Sequence, residues 1–255
     1  MAFPSGISKN APREGTKRSR TKAFVGVSGF SYASWKGKFY PDDAKAEDFL
    51  SLYTHRLGSV EINSSFYAAP SAAMVKSWAE KAGVEFRFAF KAPRQITHIQ
   101  KLREESYQGA IRLSDTLDTL GPRRGPILFQ LPPFAKFDRD LLDGFLSHTS
   151  AIEPKVFEFR HQSWLNDSTY DLLDDHGAGF CIADTEDMEP AFKVTGGLAY
   201  FRLRKDSYDR STIDRWSGKI LEAAKGVDEC YVYLRHDETG ENAILAERLA
   251  KKLKH

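Results

Sequence analysis

Apolar and polar positions alternate in two ways along the chain. Short runs rich in Val, Ile, Phe and Tyr predict β-strands, and the longer segments between them, with regularly spaced apolar residues, predict amphipathic helices. The short runs predict eight strands, at 23–28, 59–63, 86–91, 126–131, 155–160, 179–184, 198–204 and 230–235. The longer segments predict seven helices, at 46–57, 72–82, 104–120, 139–149, 168–176, 211–225 and 241–254.

Capping residues support several of these boundaries. Ser71 precedes the second helix and Asp138 precedes the fourth, and both residue types accept hydrogen bonds from the free N–H groups at a helix start. Glycines follow four of the helices, at positions 83, 121, 177 and 226. The segment 185–197, TEDMEPAFKVTGG, contains a proline and a Gly-Gly pair, so it predicts a loop between the sixth and seventh strands.

Strands that alternate with helices, and that are too apolar for a sheet wet on one face, indicate a parallel sheet covered by helices. Eight such strands favour a single α/β domain over residues 23–255, folded as a closed (β/α)₈ barrel of the TIM type. An open, doubly wound sheet is the alternative, because sequence alone does not determine closure.

Period-two alternation assigns the two faces of each strand. In the fifth strand, Phe157 and Phe159 lie on one face, and Glu158 and Arg160 lie on the other. The uniformly apolar faces should contact the helices, so the mixed faces should point to the barrel axis. The same rule predicts that Asp184, at the end of the sixth strand, also points to the axis.

Polar residues on the mixed faces gather near the C-terminal ends of the strands. They are Glu61, Lys91, Gln130, Glu158, Arg160, Asp184 and Arg202. Active sites of TIM barrels lie at this end, so the pattern predicts a polar funnel that binds a ligand. The alternative is a purely structural ion-pair network, since unpaired buried charges are costly.

Composition adds a charge asymmetry. The 255-residue chain has a net charge of +2, but residues 1–22 alone carry six Lys or Arg against one Glu. This leaves a net charge of −3 on the rest of the chain. The polar, aperiodic segment 1–22 therefore predicts a flexible basic tail. We interpret it as a solubilising extension that could contact nucleic acid weakly, and we expect no other nucleic-acid binding.

Other sequence features limit the class of protein. The two cysteines, Cys181 and Cys230, lie in separate strand-like runs, which predicts free core thiols. No apolar run approaches bilayer length, and residues 1–10 lack the apolar core of a secretory signal. We therefore expect a cytoplasmic protein without a membrane partner. Because no Rossmann fingerprint or P-loop is present, the sequence implies no nucleotide cofactor.

Five motifs follow one another along the chain: SGFSYASWKGKFYP, FLSLYTHRLGSVEINSSFYAAPS, FRFAFKAPRQITH, ILFQLPP and VFEFRHQSW. In this order they resemble the motifs of the domain of unknown function 72 family, also called YecE-like. The resemblance extends from about Val25 to Tyr233 and implies a TIM-like barrel, but it implies no reaction. The family motifs mark Ser28, Gly29, Tyr32, Trp35, Glu61, Asn63, Phe66, Tyr67, Lys91, Thr97, His98, Gln130, Glu158, Arg160, His161, Trp164 and Asp184.

The chain departs from the family pattern after its seventh and eighth strands. It has FRLRKDSY where the family usually has a His-Gly pair, and YLRHDETGENA where the family usually has an Asn/Asp-rich segment. The resemblance therefore does not extend to Arg204, Arg235 and His236 as equivalent site residues.

These residue types predict an enzyme acting on a small anionic ligand, carbohydrate-like or phosphorylated. Glu61 or Glu158 is the candidate general acid/base, and Lys91 is a candidate base or Schiff-base amine that could instead form a salt bridge with either carboxylate. Arg160 and Arg202 are expected to hold the anion. Further ligand-binding residues are predicted to be Ser28, Tyr32, Trp35, Asn63, Tyr67, His98, Gln130, His161, Trp164 and Asp184.

Two other functions stay open on the sequence. One is a non-catalytic barrel that binds a metabolite or nucleic acid. The other is a metal-dependent isomerase or phosphoesterase. Its ligands would come from Glu61, His98, Glu158, His161, Asp184 and His236. We assign no metal site, because no compact metal motif is present and the interleaved cations would repel a metal ion.

Overall fold

The structure, a computed structural model, describes residues 21–254. Its strands are β1 (Lys22–Val27), β2 (Ser59–Ile62), β3 (Arg87–Lys91), β4 (Arg124–Gln130), β5 (Lys155–Glu158), β6 (Gly179–Asp184), β7 (Leu198–Leu203) and β8 (Glu229–Leu234). Its α-helices are α1 (Phe49–Thr54), α2 (Ala72–Lys81), α3 (Tyr107–Leu117), α4 (Arg139–His148), α5 (Asp167–Asp175), α6 (Arg210–Ala223) and α7 (Glu241–Leu253). The predicted basic tail lies outside the described residues except for its last two positions, and Lys22 already belongs to β1.

The eight strands form one sheet in the order β1-β8-β7-β6-β5-β4-β3-β2, and all neighbouring strands are parallel. This arrangement confirms the predicted TIM barrel. Residues 185–197, between β6 and β7, contain no helix, as predicted. The side chains of Ser71 and Asp138 accept hydrogen bonds from the starts of α2 and α4, which confirms both predicted caps.

The barrel closes between β1 and β2 through few direct contacts. Ser28, just after β1, forms an isolated parallel bridge with Glu61. The hydroxyl of Tyr53 from α1 accepts a hydrogen bond from the Val27 amide, at 3.0 Å, and donates one to the Ser59 carbonyl, at 2.8 Å. A buried side chain therefore links two strands that lack a continuous backbone ladder.

A Tyr53→Phe variant is expected to lose about 1–3 kcal/mol of unfolding free energy, because it leaves buried backbone groups at the closure without their partner. Urea denaturation measures the loss. The control is Tyr67→Phe, whose side chain is 86% exposed and which should change stability by less than about 0.5 kcal/mol. Equal stability of both variants would contradict this role of Tyr53.

Two apolar layers surround the strands. The larger one lies between the sheet and the helices and includes Phe157 and Phe159, as predicted. The smaller one fills the barrel interior. Its members are Phe24, Ala89, Leu128, Val156, Cys181, Ala183, Leu198, Tyr200, Tyr231 and Tyr233.

The predicted orientation of β6 is wrong. Cys181 and Ala183 face the interior, whereas Ile182 packs in the outer layer. Both faces of this strand are apolar, so its polar last residue alone decided the prediction. Asp184 therefore lies on the helix-facing side of the barrel.

The cysteines and the helix lengths bear on two further predictions. Cys181 and Cys230 are both buried and free, as predicted, and burial raises the pKa of the Cys230 thiol to about 12. Across residues 21–254, every helix is too short or too polar to cross a bilayer.

Candidate functional site

A buried ion triad lies at the C-terminal end of the barrel. The guanidinium of Arg202, at the end of β7, donates from Nη2 to Glu61 Oε1 at 2.8 Å and from Nη1 to Glu158 Oε2 at 2.5 Å. All three side chains are at most 1% exposed. Period-two alternation on β2, β5 and β7 brings these residues together, as predicted from the sequence.

Glu61 is the most heavily hydrogen-bonded member of the triad. Its Oε1 atom also accepts from Ser28 Oγ at 3.1 Å and from Asn63 Nδ2 at 3.2 Å. Its Oε2 atom accepts from the hydroxyl of Tyr200 at 2.8 Å. Four neighbours thus fix this carboxylate as an acceptor.

Both triad carboxylates have lowered pKa values. Burial alone would raise the pKa of Glu61 and of Glu158, but Arg202 outweighs it, together with Arg204 at Glu61 and Arg160 at Glu158. The carboxylates in turn raise the pKa of Arg202, against the opposing effect of its burial. The triad is therefore ionised at neutral pH, and its carboxylates are weak bases and poor proton donors.

Two further arginines lie beside the triad. Arg160 donates from Nε to Glu158 Oε1 at 2.6 Å, and its side chain is 28% exposed. Arg204 donates from Nη1 to Ser28 Oγ at 2.6 Å. Burial and the nearby Arg202 lower the pKa of Arg204 to about 10, which leaves it charged at neutral pH.

Lys91, at the end of β3, completes the set of cations. Within residues 21–254 its amine has no salt bridge with a carboxylate, so the predicted pairing with Glu61 or Glu158 is absent. The amine lies over the ring of Phe66, 4.0 Å from its centroid. Burial and Arg202 lower the pKa of Lys91 to about 8, although both carboxylates partly oppose this shift.

The charges at this end of the barrel do not cancel. Lys91, Arg160, Arg202 and Arg204 oppose two carboxylates, which leaves two surplus positive charges among these groups. A purely structural network would be expected to balance its buried charges. The excess instead suits an incoming anion.

Two histidines flank the cations. His98 lies edge-on to Phe66, with ring centroids 5.0 Å apart, and His236 stacks on Tyr32 at 4.9 Å. Burial and neighbouring cations lower the pKa of both imidazoles, so they are neutral at pH 7. Burial raises the pKa of Tyr32 to about 12, and its protonated hydroxyl donates to the Ser28 carbonyl.

Two tryptophans predicted to bind the ligand are packing residues. Trp35 is fully buried and donates from Nε1 to the Asp237 carbonyl at 2.7 Å. Trp164 is also buried, donates to the Ala135 carbonyl, and stacks on Phe159 with centroids 4.2 Å apart. Their indoles anchor loops to the outer core, so the structure does not bring them to the mouth.

Three other predicted ligand-binding residues have different surroundings. Tyr67 is almost fully exposed. His161 shares a hydrogen bond with Ser163 Oγ at 2.8 Å and caps a short turn. Gln130 lies beside the triad, where its Oε1 atom is 3.5 Å from Arg202 Nη1.

Asp184 belongs to a separate cavity of about 390 Å³ between the β6–β7 loop and α6. It accepts a hydrogen bond from Tyr208 at 2.8 Å and pairs with Lys205 at 3.3 Å. The predicted placement of Asp184 in the polar funnel is therefore wrong, for the same reason as the orientation of β6.

The residues that a metal-dependent enzyme would use are not brought together. Among the described residues, no group of three His, Cys, Asp or Glu side chains has a metal-binding arrangement. Arg202 lies between Glu61 and Glu158, and Asp184 faces away from both. This donor geometry gives the metal-dependent alternative no support.

Sequence reasoning missed the role of two residues. Arg204 follows Arg202 by two positions, so the same alternation that placed Arg202 also predicts its face. Phe66 lies in a family motif, but its place beneath Lys91 depends on how the loop after β2 folds. Arg204 adds a positive charge to the site, and the Phe66 ring contacts the charged amine of Lys91.

The parallel (β/α)₈ topology and the charged C-terminal mouth define the class: this is a TIM barrel whose candidate site lies at the ends of its strands. The chain belongs to the family described as "Protein of unknown function DUF72", whose model matches residues 24–255. The resemblance noted in the sequence motifs is thereby confirmed.

Three relatives illustrate the range of similarity. The YunF protein of Bacillus subtilis is 25% identical over 156 residues, covering 58% of this chain and 54% of that protein. The YecE protein of Escherichia coli K12 is 35% identical over 91 residues, covering 32% and 30%. The chain therefore matches about half or less of the length of the YunF and YecE proteins. A DUF72 family crystal structure from Thermotoga maritima has a TM-score of 0.76 at 26% identity, covering 91% of this chain and 99% of that one.

Proposed function

We propose that the protein is an enzyme that acts on a small anionic ligand, carbohydrate-like or phosphorylated, bound at the C-terminal mouth of the barrel. The surplus of positive charge around the ion triad carries this proposal. Arg204 and Arg160 each keep guanidinium N–H groups beyond those used in their hydrogen bonds to Ser28 and Glu158. Such groups match the paired oxygens of phosphate or carboxylate.

Lys91 is the proposed acid–base residue. Its pKa of about 8 leaves the amine mostly protonated at neutral pH but able to release its proton, so it can contact the anion and act as a general acid. Glu61 and Glu158 are less suitable, because their lowered pKa values and their hydrogen bonds hold them as fixed anions. Lys91 is therefore preferred to the two carboxylates as the acid–base residue. Asn63 and Gln130 would orient the ligand.

A panel of small phosphorylated compounds and organic acids, incubated with the protein in D₂O and followed by mass spectrometry, tests the proposal. At least one compound should be converted or should gain a deuteron. An Arg204→Met variant should lower that turnover about tenfold to a hundredfold, the effect of losing one charged hydrogen bond.

The matched control is Arg235→Met. Arg235 is exposed near the same end of the barrel, but it pairs with Asp206, so turnover should be retained. Compounds that bind without being converted would favour the non-catalytic binding barrel. Absence of both binding and conversion across the panel would reject the proposed function.

A further inference from the structure

A second cavity, of about 460 Å³, is lined by Ile62 and Asn63, which directly follow Glu61 of the ion triad in the chain. Phe30 from the loop after β1, Ile62 at the end of β2, and Met74 and Trp78 from α2 form its apolar walls. Within the described part of the chain, none of the residues that line it is charged. A cavity of this volume can hold a small organic group, and its uncharged lining contrasts with the cationic mouth.

The two α2 residues that line the cavity, Met74 and Trp78, can both contact a bound group. Met74 and Trp78 are four residues apart, so they share one face of the helix. The Trp78 ring is held by stacking beside Phe88, with centroids 6.2 Å apart. The Met74 side chain is 48% exposed and, being flexible, can adapt to a bound ring.

Asn63 and Tyr32 join this cavity to the mouth, because both line the cavity and both contact the site. Asn63 Nδ2 donates to Glu61. The Tyr32 hydroxyl donates to the backbone carbonyl of Ser28, whose side chain accepts from Arg204. Each of these two side chains therefore contacts both the cavity and a group of the site.

The side-chain amide of Asn63 also has an unused acceptor. An ionised Glu61 can only accept, so the NH₂ group of Asn63 must face it. The Oδ1 atom is then buried without a hydrogen-bond partner among residues 21–254. A hydroxyl or amide N–H supplied by a ligand would satisfy it.

We propose, building on the proposed function, that the substrate is an anion that also carries an apolar ring. Lys91 and Arg204 hold the anionic group, and the ring occupies the cavity between Met74 and Trp78. Within the phosphorylated class, this geometry selects ring-bearing phosphates over compact ones.

Isothermal titration calorimetry with inorganic phosphate, methyl phosphate and phenyl phosphate tests this assignment. Phenyl phosphate should bind at least about tenfold more tightly than methyl phosphate, because only its ring buries apolar surface in the cavity. Met74→Ser and Trp78→Ala should reduce this ratio to less than about threefold without changing the affinity for inorganic phosphate. The control is Leu221→Ser, an exposed apolar position on α6, which should keep the wild-type ratio.

The possible failures are distinguishable. Equal affinity for phenyl and methyl phosphate would overturn the ring assignment and leave the anion site intact. A phenyl preference that survives in Met74→Ser, which removes a partly exposed side chain, would place the ring elsewhere and also overturn the assignment. If none of the three phosphates binds, the ring assignment is overturned, whereas the proposed function is rejected only if the wider panel of phosphorylated compounds and organic acids also fails to bind.

Discussion

An Arg202→Met variant is expected to lose about 3–5 kcal/mol of unfolding free energy at neutral pH, the usual effect of removing one partner from a buried ion pair. The loss arises because Glu61 and Glu158 would stay buried without their shared counter-ion. Urea denaturation monitored by circular dichroism measures it. Arg248→Met is the matched control: its guanidinium also pairs with a carboxylate, Asp214, but on the surface, so its effect should be far smaller.

The stability loss of Arg202→Met should also depend on pH in a defined direction. In the wild type, Glu61 and Glu158 have folded-state pKa values below the unfolded value of about 4.3, so their contribution to stability is present above that pH and is lost on acidification. In Arg202→Met, burial raises both pKa values. The deficit relative to wild type should therefore shrink as the pH falls toward about 4. A deficit independent of pH would contradict the proposed role of Arg202.

A Lys91→Met variant is expected to bind sulfate about tenfold to a hundredfold more weakly than the wild type at pH 7, because it loses a charged partner. Sulfate is a suitable probe since it remains a dianion throughout the neutral range, so any pH effect reports on the protein. Isothermal titration calorimetry provides the affinities. Lys251→Met is the control, because Lys251 is exposed in the last turn of α7, and its affinity should match wild type.

The same experiment has a predicted pH profile. Lys91 is protonated below its pKa of about 8, so wild-type affinity for sulfate should fall as the pH rises through that value. The profile of Lys91→Met should be nearly flat over the same interval, since Arg204 loses its proton only at about 10. A wild-type profile that is also flat would show that the lysine does not contact the anion.

The sequence was sufficient for the fold because the determining signals are local. The alternation of strand and helix patterns, the caps at Ser71 and Asp138, and the loop at 185–197 depend on neighbouring residues. The element ends were less accurate. Predicted helix 46–57, for example, is a short 3₁₀ turn followed by α1.

The site was predicted only in part. Glu61, Glu158 and Arg202 were expected to meet, because strand alternation fixes their direction. Trp35 and Trp164 were assigned to the ligand, but a loop aromatic can face either the ligand or the core, and only tertiary packing decides between them. Likewise, the sequence could not reveal that Arg202 pairs with both carboxylates while Lys91, within the described residues, pairs with neither.

Among the described residues, the mouth carries a partly desolvated lysine without a carboxylate partner, and we propose that this lysine binds anions. An NMR titration of ¹³C-labelled lysine side chains, assigned with Lys91→Met, tests it directly. We predict that Lys91 titrates at about 8 without sulfate, and that its pKa rises when sulfate is bound, because the anion favours the charged amine. A Lys91 signal that titrates at the ordinary lysine value of about 10.4 and is unaffected by sulfate would contradict the account.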